Sequence, residues 1–381
     1  MNSRKRVLAA LLGGRTDRVP VISANQTATL EQMNNIDIYF PEAHLKAEPM
    51  AKLAAEAYHQ LSLEAVGVPF CQTVEAEVLG CEIRAGGKTD TVSVVTHPYT
   101  TEDYPELSED LYRKARIPEV IKAVKILKSE LGDKVPVIAR IVGPFTIAAY
   151  LISVNEALIN SMTNPELLKP LLKLGTDFAR EYSAMLIKSG ADIICVEDMT
   201  ASTDMIRPET YKELIFPYHQ ELFTNISAPS ILHICGNVSS VLETMAATGA
   251  DGLSIEAKAV QKDQLDKIKE RVTIIGDIPP SDVLLSGSRE DVNLASRQAL
   301  DNGIDILAPG CGIPPETSTA NIKEMVSVPT EYSPSVNDND KVKTDSNNNV
   351  EEDIDNLITE KDGLEIGRLI ARNFIKNLAG K

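Results

Sequence analysis

Short apolar runs rich in Val and Ile recur along the chain and alternate with longer segments whose apolar residues fall at helical spacing. Eight runs have strand length: residues 19–25, 63–70, 135–143, 191–197, 230–235, 251–256, 272–277 and 304–308. Between them the spacing predicts helices over residues 41–61, 111–131, 165–189, 208–224, 238–248, 261–270 and 289–302, several opening on a proline in the first turn, where its missing N–H costs nothing. Regular alternation of strand and helix points to an α/β fold with parallel strands, and eight such units suit a (β/α)8 TIM barrel better than an open sheet. Neither G-x-G-x-x-G nor G-x-x-x-x-G-K-[ST] stands at a strand-to-helix turn, which counts against a nucleotide-phosphate cradle.

Two stretches break the rhythm. Residues 80–99, with Gly86-Gly87 between alternating runs, predict an inserted β-hairpin. Beyond a barrel domain of residues 1–333, a polar tract rich in Ser, Asn and Asp (334–350) predicts a flexible linker. In residues 351–381 the positions of Ile354, Leu357, Ile358, Ile366, Leu369, Ile370, Phe374 and Leu378 predict an amphipathic tail helix interrupted by Gly363 and Gly367.

The chain has 381 residues, enough for a large core, and a formal net charge of −17. With no long Lys/Arg run, nucleic acid and anionic membrane surfaces are excluded as expected partners. The longest mostly apolar stretch, residues 141–152, contains Gly143, Pro144 and Thr146 and falls short of a membrane span. Arg4-Lys5-Arg6 precedes only six apolar residues, which reads as a short amphipathic helix rather than a secretion signal. Five cysteines, an odd number spread widely, predict reduced thiols and a cytoplasmic location.

The candidate chemistry gathers at strand ends. On a strand, residues i and i+2 share a face, so His233 and Cys235 at the end of the fifth run would both point into the barrel mouth. Cys311, between Gly310 and Gly312 just past the eighth run, would converge on the same place. One imidazole and two thiolates suit Zn²⁺ and leave a coordination position open, although a buried Cys or a hydrogen-bonded core His is the plainer reading of each residue alone. Cys71 is a competing ligand by position, and Cys195 reads as a packed thiol. Glu197, Asp198, Glu256 and Asp277 also end strands; Glu256, beside the His-x-Cys strand, could supply a fourth zinc ligand, whereas each could equally cap a helix.

Together with His233-Ile234-Cys235-Gly236-Asn237, the segments Gly143-Pro144-Phe145-Thr146, Asp198-Met199-Thr200-Ala201-Ser202, Phe216-Pro217-Tyr218-His219, Gly252-Leu253-Ser254-Ile255-Glu256 and Ala308-Pro309-Gly310-Cys311-Gly312 carry a resemblance. Gln26-Thr27-Ala28-Thr29, Pro41-Glu42-Ala43-His44 and Gly80-Cys81-Glu82-Ile83 extend it over most of residues 4–332. The chain resembles the methylcobamide:coenzyme M methyltransferases of methanogenic archaea, in the uroporphyrinogen decarboxylase superfamily. That resemblance implies a barrel whose zinc is held by His233, Cys235 and Cys311. It also implies transfer of a methyl group from a methylated corrinoid (methylcobalamin or a methylcorrinoid carried by a partner protein) to coenzyme M, 2-mercaptoethanesulfonate. Zinc would deprotonate the acceptor thiol, and two cysteinates would keep its sulfur electron-rich. Catalytic roles then fall to Glu256, as a resting ligand displaced by thiol, and more weakly to Asp198. The sulfonate would be held by Asn237 and the turn after it, or by Arg140.

Thr317-Ser318 departs from the family's usual Thr-Pro, and the tail past Pro334 matches nothing in it. The rivals are a corrinoid-dependent methyltransferase with another acceptor or donor, an inactive scaffold, and uroporphyrinogen decarboxylase itself. The last would need basic groups near the first strand, where no Arg lies between Arg18 and Arg84. Monomer and homodimer are both compatible with the sequence.

Overall fold

A computed structural model describes residues 1–332 apart from Thr89, Glu109 and Val260. The linker and tail helix expected over 334–350 and 351–381 lie outside the described residues. In chain order the strands are β1 (Val66–Val68), β2 (Ile83–Arg84), β3 (Ser93–Val94), β4 (Val137–Val142), β5 (Ile193–Glu197), β6 (Ser230–His233), β7 (Gly252–Ser254), β8 (Thr273–Ile278) and β9 (Ile306–Pro309). Seven form one parallel sheet in the order β1-β4-β5-β6-β7-β8-β9, with helices between, and β2 and β3 form the inserted antiparallel hairpin.

The first expected strand, residues 19–25, is reduced to a single bridge, and that bridge closes the barrel. Val21 pairs with Leu307 of β9; Leu307 N–H donates to Pro20 O at 3.0 Å and Ile22 N–H to Leu307 O at 3.1 Å. On the other side Glu64 N–H donates to Val21 O at 2.8 Å, while Val21 N–H donates to the Glu64 carboxylate at 3.0 Å. A side chain thus replaces one rung of the ladder, because Pro20 has no N–H to offer and the strand is too short to pair further. Glu64 is buried and also accepts from Arg18 at 2.7 Å and from Arg6.

Inward-facing residues follow the period of two and change character from bottom to mouth. At the bottom, Ile138, Ile193, Ile231, Ile275 and Ile306 form one apolar cluster with Val7, Leu8 and Leu11 of the N-terminal helix Ser3–Leu11, which plugs the barrel. Two residues further along, the same faces carry Arg140, Cys195, His233, Asp277 and Ala308, and two further Glu197 and Cys235. Outside the sheet, amphipathic helices such as Ala47–His59, Ile117–Leu131 and Lys169–Lys188 bury their apolar stripes in the larger cluster.

Local chemistry sets several boundaries differently from the periodicity. The helix expected over 41–61 is split at Lys46, whose φ of −129° is extended, into Glu42–Leu45 and Ala47–His59. The helix expected over 238–248 contracts to a 3₁₀ turn, Ser239–Val241, and one α-turn, Leu242–Met245. No helix among the described residues is long and apolar enough to cross a membrane, and the five cysteines carry no disulfide.

Candidate metal centre and barrel mouth

β6 sits between β5 and β7, so His233 is in register with Glu197 on one side and Ser254 on the other. Its ring is pinned from the β7 side: Nδ1 lies 3.1 Å from both the carbonyl O and the Oγ of Ser254. A carbonyl can only accept, so Nδ1 carries the proton and Nε2 presents a lone pair. That lone pair faces Cys235 Sγ at 3.1 Å, and Cys235 Sγ is 3.5 Å from Cys311 Sγ. Donor atoms of His233, Cys235 and Cys311 all lie within 4.8 Å of one another, which makes them the metal-capable trio among the described residues.

The residues fit zinc on these observations. A tetrahedral ion with ordinary Zn–S and Zn–N bonds spreads its ligands to about 3.6–3.8 Å, so the His233–Cys235 and Cys235–Cys311 contacts need to open by only a few tenths of an ångström. The fixed His tautomer is the one a metal requires. The hydrogen bond from Cys235 lowers the pKa of Cys311 despite burial, with His233 assisting, while the bond to Cys311 and burial both raise that of Cys235. Burial opposes charge on His233, but its hydrogen bond to Cys311 and the charges of Cys311 and Glu197 outweigh it and raise its pKa.

The turn carrying Cys235 is clamped. Gly236 has φ 77°, and a Cβ there would collide with Asp204 Oδ2. Gly236 N–H donates to Glu256 Oε1 at 2.7 Å and Asn237 N–H to Asp204 Oδ2 at 3.1 Å, while Thr203 Oγ1 donates to Asn237 O. Glu256 is therefore beside the trio, with one oxygen engaged by backbone. Asn237 is exposed, and its Oδ1 accepts from Ser239 N–H at 3.1 Å and Ser239 Oγ at 2.7 Å.

Arg140 and Asp198 lie deeper than their proposed roles require. Arg140 is 3% exposed and donates from Nε to Ala24 O (2.9 Å), from Nη1 to Pro69 O (3.1 Å) and from Nη2 to Asn25 O (2.5 Å); a Cβ on Gly67 would press on its guanidinium. Asp198 is fully buried and caps the helix Pro144–Ile152, accepting from Phe145 N–H (3.1 Å), Thr146 N–H (2.7 Å) and Thr146 Oγ1 (2.6 Å). It also meets His219 Nε2 at 2.8 Å, and His219 Nδ1 meets Tyr211 Oη at 3.1 Å. Cys71 belongs to another cluster, accepting from Arg116 Nη1 at 3.1 Å and Thr73 Oγ1 at 3.5 Å. Cys195 is packed inside β5.

Glu197, expected at a strand end, is 1% exposed, accepts from Gln72 Nε2 at 2.6 Å, and is driven toward its neutral form by burial, with Arg140 opposing. Other residues of the mouth had no role assigned from sequence. Ser254 could have been found from its place two residues before Glu256 on one strand face; Asp204 and His219 carry no spacing that would announce them.

The uroporphyrinogen decarboxylase (URO-D) family model matches residues 2–332. Methylcobamide:CoM methyltransferase MtaA of Methanosarcina barkeri is 38% identical over 331 residues, 86% of this chain and 98% of its own length. Methylcobamide:CoM methyltransferase MtbA of Methanosarcina acetivorans is 36% identical over 333 residues, again 86% and 98%. A solved methyltransferase from Methanosarcina mazei superposes with a TM-score of 0.84 at 36% identity, covering 87% of this chain and 99% of that one. The chain thus belongs to the uroporphyrinogen decarboxylase family, on the branch of the methylcobamide:coenzyme M methyltransferases.

Proposed function

We propose that this enzyme transfers a methyl group from a methylated corrinoid protein to the thiol sulfur of coenzyme M, with zinc held by His233, Cys235 and Cys311. The observation that carries the reading is the convergence of those three donors at the barrel mouth, in a chain related along 86% of its length to enzymes bearing that name. When bound, zinc supplies the acceptor thiol in its nucleophilic, deprotonated form near neutral pH.

The chain's own residues do the rest. Ser254 fixes the ring of His233, and the Gly236 turn, held by Glu256 and Asp204, fixes Cys235. Two cysteinates place negative charge around the acceptor sulfur and favour attack on a methyl carbon, whose bonding pair returns to cobalt. The apolar plug of Val7, Leu8 and Leu11 closes the bottom, so donor and acceptor both enter at the mouth. A corrinoid is too large to lie among these side chains and would be presented by a partner protein covering the opening. Glu256 Oε1 holds Gly236 N–H, which leaves Oε2 as the atom that could serve as a resting ligand displaced by the thiol.

Metal analysis combined with coenzyme M-dependent demethylation of methylcobalamin tests the reading. Turnover should vanish on chelation and return with one equivalent of zinc. A metal-replete protein that leaves methylcobalamin intact in the presence of coenzyme M would refute it.

A further inference from the structure

At the bottom of the barrel each strand begins with an N–H group that the slanted parallel ladder does not automatically satisfy. In four places among the described residues a carboxylate supplies the partner, always in the same way. Glu64, Asp192, Asp251 and Asp305, each just ahead of the following strand, donate their own N–H to the carbonyls of Val21, Val137, Ser230 and Ile274 at 2.8, 2.9, 2.9 and 3.0 Å. Their side chains reach back to accept the N–H of those same residues at 3.0, 3.0, 2.9 and 2.8 Å. These clamps occupy every second gap around the barrel: from the bridge at Val21 to β1, then β4 to β5, β6 to β7 and β8 to β9. Three of the four clamped N–H groups follow a proline, Pro20, Pro136 or Pro229, whose own missing N–H ends the ladder there.

One clamp sits beneath the metal donors. Ser230 opens β6 and Asp251 immediately precedes β7; three residues further on, about 10 Å along each strand, stand His233 and Ser254, paired in register. The ladder between them is short, with pairs Ile231–Gly252, Leu232–Leu253 and His233–Ser254, and Gly252 brings no side chain to it. Its register is therefore set at its ends. At the top, Ser254 O and Oγ lie 3.1 Å from His233 Nδ1 and fix the tautomer. At the bottom, Ser230 N–H and Ser230 Oγ both donate to Asp251 Oδ2, at 2.9 and 3.1 Å, with Ser230 fully buried and Asp251 6% exposed. A slip of one residue would turn His233 out of the barrel, because successive side chains of a strand face opposite sides.

We propose that Asp251 is a positioning residue for the metal centre: by clamping Ser230 it holds β6 and β7 in the register through which Ser254 turns the Nε2 lone pair of His233 toward the ion. This rests on the zinc reading given above and extends it from the mouth to the floor of the barrel. The equivalent clamp at Asp192 joins β4 to β5, which carry no donor of the trio, so it separates registration of the metal strand from clamping in general.

The test measures, for Asp251→Ala, Asp251→Asn and Asp192→Asn, the thermal midpoint, the zinc affinity by competition with a chromophoric chelator and, in the metal-free protein, the tautomer of His233 by nitrogen NMR of histidine-labelled material. Wild-type protein should show His233 protonated at Nδ1 before any metal is added. Asp251→Ala leaves Ser230 N–H without its acceptor and should weaken zinc binding about tenfold, the equivalent of one lost hydrogen bond to a charged group, and mix the tautomers. Asp251→Asn keeps a neutral acceptor, so it should fold even where the Ala variant does not, and should weaken zinc about threefold. Asp192→Asn should lower the midpoint while changing neither zinc affinity nor tautomer. Wild-type zinc affinity and tautomer in the folded Asp251 variants overturn the proposal, as does an equal loss of zinc in Asp192→Asn, which would make the clamps merely stabilising. A wild-type protein that takes up no zinc removes the metal reading and this inference with it; zinc uptake indifferent to Asp251 removes this inference alone.

Discussion

Asp198 offers the sharpest separation of a structural role from a catalytic one. Its carboxylate is fully buried and takes four hydrogen bonds, two from the first turn of the helix Pro144–Ile152, one from Thr146 Oγ1 and one from His219. Asp198→Asn preserves shape but turns one oxygen into an NH₂ group that must face existing donors. Losing one charge-assisted bond costs about 1.5–3 kcal/mol, and losing the anion at a partly buried helix start adds up to about 1–2 kcal/mol. A total of roughly 2.5–5 kcal/mol should lower the thermal midpoint by about 3–6 °C in a chain of this size. The donors of the metal trio come from β6, the turn after it and the turn after β9, so zinc content should not change. Thermal denaturation followed by circular dichroism, with metal analysis and methylcobalamin turnover on the same preparation, decides the matter. A wild-type midpoint accompanied by collapsed turnover at full zinc would refute the capping role and return Asp198 to the reacting groups.

Other outcomes follow from the same structure. Cys235→Ala and Cys311→Ala should each lose zinc and turnover with a nearly unchanged circular dichroism spectrum, and full zinc in both variants would dismiss the ligand assignment. Gly236→Ala should weaken zinc binding at least tenfold, because φ 77° and the crowding of Asp204 Oδ2 are both unfavourable to a Cβ, and competition with a chromophoric chelator reads this directly. Burial pushes the Glu75 carboxyl from 4.5 up to about 7, with Val142 N–H opposing. The folded protein therefore holds this proton more tightly than the unfolded chain, and the associated stability, present below pH 4.5, is lost as pH rises through 7, by about 3 kcal/mol. Glu75→Gln should flatten that part of the pH profile of thermal unfolding, and an unaltered profile would count against it. A tethered amphipathic helix can raise the local concentration of a donor protein, so deleting residues 334–381 should leave turnover with free methylcobalamin intact and raise the apparent KM for the methylated corrinoid protein; identical kinetics with both donors would remove that recruiting role.

What the sequence made legible was set by local repetition. Runs such as residues 135–143 and 191–197 are apolar because both faces are covered, and they emerge as β4 and β5. His233 and Cys235 were readable because a strand's period of two requires no knowledge of the rest of the fold, and Cys311 because its neighbouring glycines mark a strand end. Residues 19–25 misled because Val and Ile signal a strand, while Pro20 and the reach of Glu64 decide how little of it pairs. For Asp198 the sequence offers helix capping and a mouth role as equal readings: its partners Phe145, Thr146 and His219 are 21 to 53 residues away, and nothing in spacing chooses between an adjacent helix and the mouth. Arg140 was offered as a sulfonate holder, but the partners it has are main-chain carbonyls, which have no sequence signature.

The closeness of Cys235 and Cys311 has a consequence for the handling of the protein. Their sulfurs are 3.5 Å apart on residues 76 positions apart in the chain, and a disulfide needs about 2 Å between them, a distance small side-chain rotations can supply. Two thiolates that chelate so readily are equally disposed, once stripped of metal, to surrender two electrons to dioxygen and bond to each other. Zinc would then act as a preservative as well as a reagent. Metal-free protein left in air should lose two titratable thiols together with its capacity to take zinc up again, and a reductant should restore both.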